Sequence, residues 1–323
     1  MKICVTGAGG FIGSQLAEKL AERGHEVRAF LRYNSKNSWG WLEESEYAKE
    51  MEIISGDIRD FDLVRKAVHG CERIFHLAAL IGIPYSYVSP LAYVKTNVEG
   101  TYNVLQAARE CGVERVIHTS TSEVYGTARY VPIDEGHPIT TQSPYSATKA
   151  SADYLALSYY RSFGLPVTVV RPFNTYGPRQ SARAIIPTII SQLLDGKEEI
   201  SLGNLSPTRD LTFVDDTVRG FLAASEAPGA VGEVLNLGTG TEISMGDLAL
   251  LIGKILGKHF RITSDEQRVR PEKSEVERLL SNPSKMNALT GWKAAVSLEE
   301  GLKRTIEWMK DRRALYKSGI YNV

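Results

Sequence analysis

A tyrosine and a lysine four residues apart, Tyr145 and Lys149, stand downstream of the run Thr121-Ser122-Glu123-Val124-Tyr125-Gly126. On a helix that spacing puts both side chains on one face. The ammonium then stabilises a phenolate, a base able to take a proton from a substrate hydroxyl. Tyrosine and lysine alone imply alcohol oxidation. The nearby carboxylate of Glu123 adds a second step, removal of a proton from carbon, and so predicts oxidation followed by elimination or decarboxylation.

These groups must be held by a scaffold, and the first half of the chain supplies its rhythm. Strand-length apolar runs at 3–5, 27–31, 52–54, 73–77, 115–118 and 167–170 alternate with helix-length periodic segments, the first from about 11 to 23. Continuous apolar strands separated by helices predict a parallel sheet covered on both faces, a doubly wound, Rossmann-like α/β fold. After residue 178 the rhythm changes to helical segments joined by loops rich in Pro, Gly, Arg and Asp. Residues 1–178 are therefore expected to form a dinucleotide-binding domain. Residues 179–323 are expected to form mainly a smaller substrate-binding lobe, with chain crossings back to the sheet.

The 38 basic and 38 acidic residues among 323 cancel, so nothing predicts a non-specific grip on nucleic acid or an anionic membrane. No apolar stretch approaches the ~20 residues of a membrane span. Cys4, Cys71 and Cys111 lie among apolar neighbours and read as small buried hydrophobes of a reducing compartment. No Cys/His cluster has metal-ligand spacing, and the chain starts on a strand with nothing resembling a leader. A cytoplasmic protein is expected.

The segment Thr6-Gly7-Ala8-Gly9-Gly10-Phe11-Ile12-Gly13 joins the first strand to the first helix. Gly7, Gly10 and Gly13 permit a tight turn, close approach of backbone to a pyrophosphate and close packing of helix on strand. Amides of Phe11 and Ile12 at the helix N-terminus would meet the phosphates. Where NAD sites usually carry an acid for the adenosine ribose, this chain has Leu31 and then Arg32. A guanidinium there accepts a 2′-phosphate, which tips the expectation from NAD towards NADP. Asp57 and Ile58 follow the third strand and are expected to bind the cofactor, Asp57 at the adenine amine. Leu77, Ala78 and Ala79 supply the small strand end that passes close to a cofactor.

Taken together, the glycine turn, Asp57, His76-Leu77-Ala78-Ala79, Tyr145-x-x-x-Lys149 and Arg171-Pro172-Phe173-Asn174-Thr175-Tyr176-Gly177-Pro178-Arg179 resemble an extended short-chain dehydrogenase/reductase acting on nucleotide sugars. The resemblance implies that Tyr145 and Lys149 are the catalytic pair, that Thr121 orients the substrate hydroxyl, and that the protein is a homodimer through the helices near 93–110 and 144–163. The Thr-Ser-Glu run resembles nucleotide-sugar 4,6-dehydratases, especially the GDP-mannose type. The segments 37–42, 83–87 and 270–276 resemble the GDP-N-acetylglucosamine 4,6-dehydratases of legionaminic acid synthesis. One departure is that dTDP-glucose dehydratases carry Asp before the Glu, where this chain has the far weaker acid Ser122.

The implied substrate is a nucleotide-diphosphate sugar. Arg209 and Arg270 are candidates for its phosphates, because guanidinium forks match phosphate oxygens. Arg179 and Arg183 are further candidates, with local pairing as the alternative. Asn174 is expected to meet the first phosphate from a loop, and Tyr85 and Tyr87 to line the sugar pocket. Three rival readings share the fold: a uronate decarboxylase of the UDP-glucuronate type, a 4- or 5-epimerase, and a redox-sensing binding module without turnover.

Overall fold

The computed structural model describes residues 1–321. Six strands of the first half, β1 (Lys2–Thr6), β2 (Glu26–Arg32), β3 (Glu52–Gly56), β4 (Arg73–His76), β5 (Arg115–Thr119) and β6 (Val167–Pro172), enter one parallel sheet. Its helices in chain order are α1 (Phe11–Glu22), α2 (Phe61–Val68), α3 (Ile83–Val88), α4 (Pro90–Tyr93), α5 (Gly100–Glu110) and α6 (Pro144–Phe163). Side chains alternate between the two sheet faces, and both faces are covered. Ile3, Val5, Ala29 and Phe75 pack towards α1, whereas Cys4, Phe30, Ile74 and Val116 pack towards α2, α5 and α6.

The second half continues with β7 (Asn174–Tyr176), α7 (Ile185–Leu194), β8 (Glu199–Leu202), β9 (Thr208–Arg209), β10 (Leu211–Phe213), α8 (Val214–Glu226) and β11 (Val234–Leu237). It ends with β12 (Ile243–Ser244), α9 (Met245–Leu256), β13 (Arg261–Ser264), β14 (Arg278–Leu279), α10 (Ser284–Thr290) and α11 (Leu298–Lys310). Strand β11 returns to the main sheet beside β6, giving seven strands in the order β11-β6-β5-β4-β1-β2-β3. The remaining strands form small sheets: β7 with β10, β9 between β12 and β14, and β8 with β13. Asn174 therefore begins a short strand, where a loop was expected.

The order reverses between β1, which leads outward to β2 and β3, and β4 on its other side. Ligands of open α/β sheets bind in the crevice beyond the strand ends at such a switch point. The glycine turn and the Leu77–Ala79 strand end both lie there. No helix of the described residues is long and apolar enough to cross a membrane.

Candidate active site

One cleft of about 910 Å³ runs across the switch point. At its dinucleotide end it is lined by Gly7, by Gly10 through Gly13, by Arg32, by Asp57 and Ile58, and by Leu77 through Ala79. Gly7 takes φ +74°, and a Cβ there would stand 2.9 Å from the Ala78 amide nitrogen. A Cβ on Gly13 would overlap the Gly7 carbonyl oxygen. The turn thus needs glycine at both places, and the β4 end is held against it by Leu77 N donating to Thr6 O (3.2 Å) and Ala78 N to Thr6 Oγ1 (3.2 Å). No side chain caps α1 at Gly10, so its first amides remain available to an anion. These residues fit a dinucleotide. Asp57 is held below the usual carboxylate range chiefly by the Arg59 guanidinium, 2.5 Å away.

At the other end, β5 runs on through Ser120 and Thr121 into a tight helical turn over Ser122–Tyr125. The Thr121 hydroxyl accepts the Glu123 amide at 3.2 Å, fixing the turn's entry. Thr121, Ser122 and Glu123 are buried yet line the cleft, as does Tyr145. Among the described residues none hydrogen-bonds or ion-pairs with the Glu123 carboxylate.

Tyr145 is placed by the start of α6. Ser143 caps the helix, accepting the Ser146 amide at 3.1 Å in a reciprocal capping box, with Pro144 in the first turn. Tyr145, Lys149 and Asp153 then fall on one buried face. Burial pushes the Tyr145 phenol well above its ordinary value; the Thr121 hydroxyl opposes this, and the Glu123 charge adds to it. Lys149 does not line the cleft: its Nζ donates to the Thr119 carbonyl oxygen at 2.6 Å. Burial lowers its ammonium from 10.5 to about 8, against the support of the Asp153 charge. As folded here, the lysine gives up its proton before the tyrosine does.

Two buried groups went unnoticed in the sequence. Asp153 accepts Ser120 Oγ at 2.6 Å and Arg171 Nε at 3.0 Å, while Arg171 also donates to Tyr125 Oη at 2.9 Å. Burial pushes its carboxyl up, but His118, Arg171 and Ser120 together hold it below its ordinary value. Asn97, in a π-helical turn over Val94–Glu99, accepts the Leu80 amide at 2.8 Å and donates to Leu80 O (3.0 Å) and Thr148 Oγ1 (3.1 Å). It clamps the β4 strand end to α6, and such π turns favour functional sites. A buried Asp one turn after Tyr-x-x-x-Lys was the available signal for the first. The π turn leaves none in the sequence.

The substrate-side expectations divide. Tyr85, Asn174, Arg183 and Arg270 line the cleft. Tyr87, expected to line the sugar pocket, is outside the cleft lining: its Oη pairs with Ser274 Oγ at 2.6 Å, and Ser274 donates to Gln142 O at 2.6 Å, which ties the 270–276 segment to α3. Arg209 is buried in β9, 3.7 Å from Glu275 and outside the cleft lining. Burial lowers its guanidinium, and the largest opposing influence is the Glu123 carboxylate. Arg179 is not brought to the cleft at all. With φ +72° it turns back onto α1, where its fork grips Glu18 (2.8 and 3.0 Å) and Ser14 (3.0 Å). Its role in the structure is that local pairing.

Residues 4–305 match the family model described as GDP-mannose 4,6 dehydratase. A dTDP-glucose 4,6-dehydratase from Streptomyces antibioticus is 35% identical over 321 residues, covering 98% of this chain and 95% of that protein. A UDP-N-acetyl-alpha-D-glucosaminuronate decarboxylase from Bacillus cytotoxicus is 33% identical over 318 residues, covering 95% and 97%. The crystal structure of UDP-glucuronic acid 4-epimerase from Bacillus cereus, in complex with UDP-glucuronic acid and NAD, superposes with a TM-score of 0.89 at 30% identity, covering 97% of this chain and 100% of that one.

Proposed function

Because the chain belongs to the GDP-mannose 4,6 dehydratase family of nucleotide-sugar enzymes, extended short-chain dehydrogenase/reductases in fold, we propose that it is a 4,6-dehydratase forming a 4-keto-6-deoxy sugar nucleotide. The observation that carries this reading is Glu123: the residue lines the same cleft as Thr121 and Tyr145, and its carboxylate makes no hydrogen bond or ion pair among the described residues.

In this reading Tyr145 takes the proton from the carbon 4 hydroxyl, which Thr121 orients. The 4-ketone acidifies the proton on carbon 5, and Glu123 removes it. The carbon 6 hydroxyl leaves as water, taking its proton from Glu123, with Ser122 holding the geometry. Carbon 5 is then reprotonated, the balance being kept by the proton that Tyr145 took from the carbon 4 hydroxyl and gives up as it returns to its starting state. A bound dinucleotide would supply a hydride acceptor for carbon 4 and a hydride donor for carbon 6, which would leave net redox change nil and make the enzyme a lyase. The residues that would hold it are those of the glycine turn, Arg32, Asp57, Ile58 and Leu77–Ala79; Lys149, held off the cleft wall by the Thr119 carbonyl, would have to turn from it to reach the nicotinamide ribose. Arg32 favours NADP over the NAD of the epimerase complex.

GDP-N-acetylglucosamine is the proposed substrate. Its support is that Ser38, Trp39 and Gly40, Ile83 through Tyr85, and Arg270, drawn from the three segments that resemble the legionaminic-acid enzymes, all line the cleft. Arg270 would meet the diphosphate, and Tyr85 and Asn174 the sugar side. Arg209, buried outside the cleft lining, would steady Glu123. A homodimer through α5 and α6 belongs to the same proposal, since Tyr102, Tyr154 and Phe163 stand exposed on those helices.

The test is incubation with GDP-, UDP- and dTDP-hexoses and UDP-glucuronate, scored by mass. Loss of one water from the GDP sugar supports the reading. Release of CO₂ from the uronate would make the chain a decarboxylase, and turnover without mass change an epimerase.

A further inference from the structure

Lys149 and Asp153 stand one helical turn apart on α6, both buried, at 4% and 1% exposure. A lysine so placed sheds its proton unless an anion faces it. Its surroundings come from four elements. Thr119 of β5 gives it a carbonyl oxygen; His118 of β5 and His76 of β4 disfavour its charge whenever they are protonated. Tyr145 precedes it on α6, and Arg171 of β6 lies beyond Asp153. Burial keeps both histidines from taking up protons near neutrality.

Asp153 is more than one half of an ion pair with Arg171. Its Oδ2 accepts Arg171 Nε and Ser120 Oγ, but its Oδ1, fully buried, makes no hydrogen bond among the described residues. His118 Nε2 lies 3.2 Å from Oδ1 without the alignment a hydrogen bond needs. Oδ1 thus faces only the His118 ring, which burial keeps neutral, so Arg171 is the one permanent cation bonded to Asp153 among the described residues, and the carboxylate stands on the helix face of a lysine that needs an anion.

We propose that Asp153 is the buried counter-ion of Lys149, a positioning residue that keeps the ammonium charged one turn from Tyr145. This rests on Tyr145 being the base at carbon 4, the step common to dehydration, epimerisation and decarboxylation, and not on which of them follows. For charges about 6–10 Å apart, at an effective dielectric constant of about 20, one charge moves the pH at which Lys149 deprotonates by roughly one to two. Asp153 also opposes ionisation of Tyr145 directly. Removing its charge lowers both limbs, so the pH–rate bell moves as a whole to lower pH.

Asp153→Asn alone strands Arg171 as a buried cation and can fail to fold, so the test compares Arg171→Met with Asp153→Asn/Arg171→Met in the full-length chain. The first variant keeps the anion and the second removes it; both destroy the same ion pair. Nitrogen NMR of ¹⁵N-labelled lysine side chains, with Lys149 assigned by loss of its signal in Lys149→Arg, reads the titration without any substrate. The expected result is an unchanged or raised titration point in Arg171→Met and one that is about one to two pH steps lower, an acid dissociation constant about ten- to a hundredfold larger, in the double variant. The pH profile of cofactor reduction should shift the same way. If both variants titrate alike, Asp153 is a structural acid only and the inference falls. If no sugar nucleotide reduces the cofactor yet the NMR shift appears, the functional reading falls and the counter-ion stands.

Discussion

If the chain is the dehydratase proposed, replacing Glu123 with glutamine should separate two steps that the wild-type protein would run together. Glu123 sits at 8% exposure in the turn over Ser122–Tyr125, entered through the Thr121 hydroxyl on its amide. Glutamine has the same length and keeps that amide bond, and the carboxylate it replaces makes no hydrogen bond or ion pair among the described residues, though its charge supports the buried Arg209 guanidinium. Thermal stability should therefore fall by about 1 kcal/mol, the usual cost of a single substitution. A positioned general base is worth about 10² to 10⁴ in rate, or about 3 to 5 kcal/mol at 1.36 kcal/mol per tenfold. Dehydration should slow at least a hundredfold. The first step should survive, and even gain at low pH, because the Glu123 charge is one of the influences that push the Tyr145 phenol up. Rapid mixing with the sugar nucleotide should show reduced cofactor accumulating in the variant, while mass spectrometry shows little loss of water. A variant that dehydrates at the wild-type rate refutes Glu123 as the base. One that loses cofactor reduction and dehydration equally, with its fold intact, refutes the separation of roles.

Arg32→Ala should weaken NADP by roughly 10- to 100-fold, the worth of a charge-assisted hydrogen bond of about 1.5–3 kcal/mol, and leave NAD unchanged; titration of both dinucleotides decides, and an equal effect on each would sink the NADP assignment. Gly13→Ala forces a Cβ onto the Gly7 carbonyl oxygen. It should cost about 1–3 kcal/mol by overpacking and abolish tight dinucleotide binding, so a variant of wild-type melting temperature and affinity would mean the turn yields easily. Buried His76 and His118 are held below their ordinary 6.5 in the fold. The unfolded chain then binds more protons beneath that pH, so their contribution is complete above about 6.5 and is lost progressively as pH falls. Melting temperature should drop from pH 7 to pH 5, and drop less in His118→Gln; identical pH profiles for the two proteins would exclude His118 as a source.

The sheet was legible because residues such as Ile3–Val5 and Val116–Ile117 are buried on both faces, which leaves continuous apolar runs. Strand β11 was harder: its four residues, Val234–Leu237, include Asn236 and lie past the change of rhythm, and only pairing with β6 identifies them. Tyr145 and Lys149 could be read because helical spacing is local. Arg179 could not, since nothing in its neighbourhood announces a left-handed residue that turns a guanidinium back onto Glu18. Arg209 shows the same limit: its type suits a phosphate, but β9 is flanked by β12 and β14 and the side chain is buried there beside Glu275. Asp153 and Asn97 act through partners far along the chain, such as Arg171 and Leu80, and long-range polar contacts leave no periodicity to detect.

The most direct measurement follows the hydride. GDP-N-acetylglucosamine carrying deuterium at carbon 4 is turned over and the product examined by mass spectrometry and NMR. Transfer of the label to carbon 6, with one water lost, is the predicted outcome. Label retained at carbon 4 of an epimer, or carbon 4 oxidised while the carbon 6 hydroxyl remains, would contradict it.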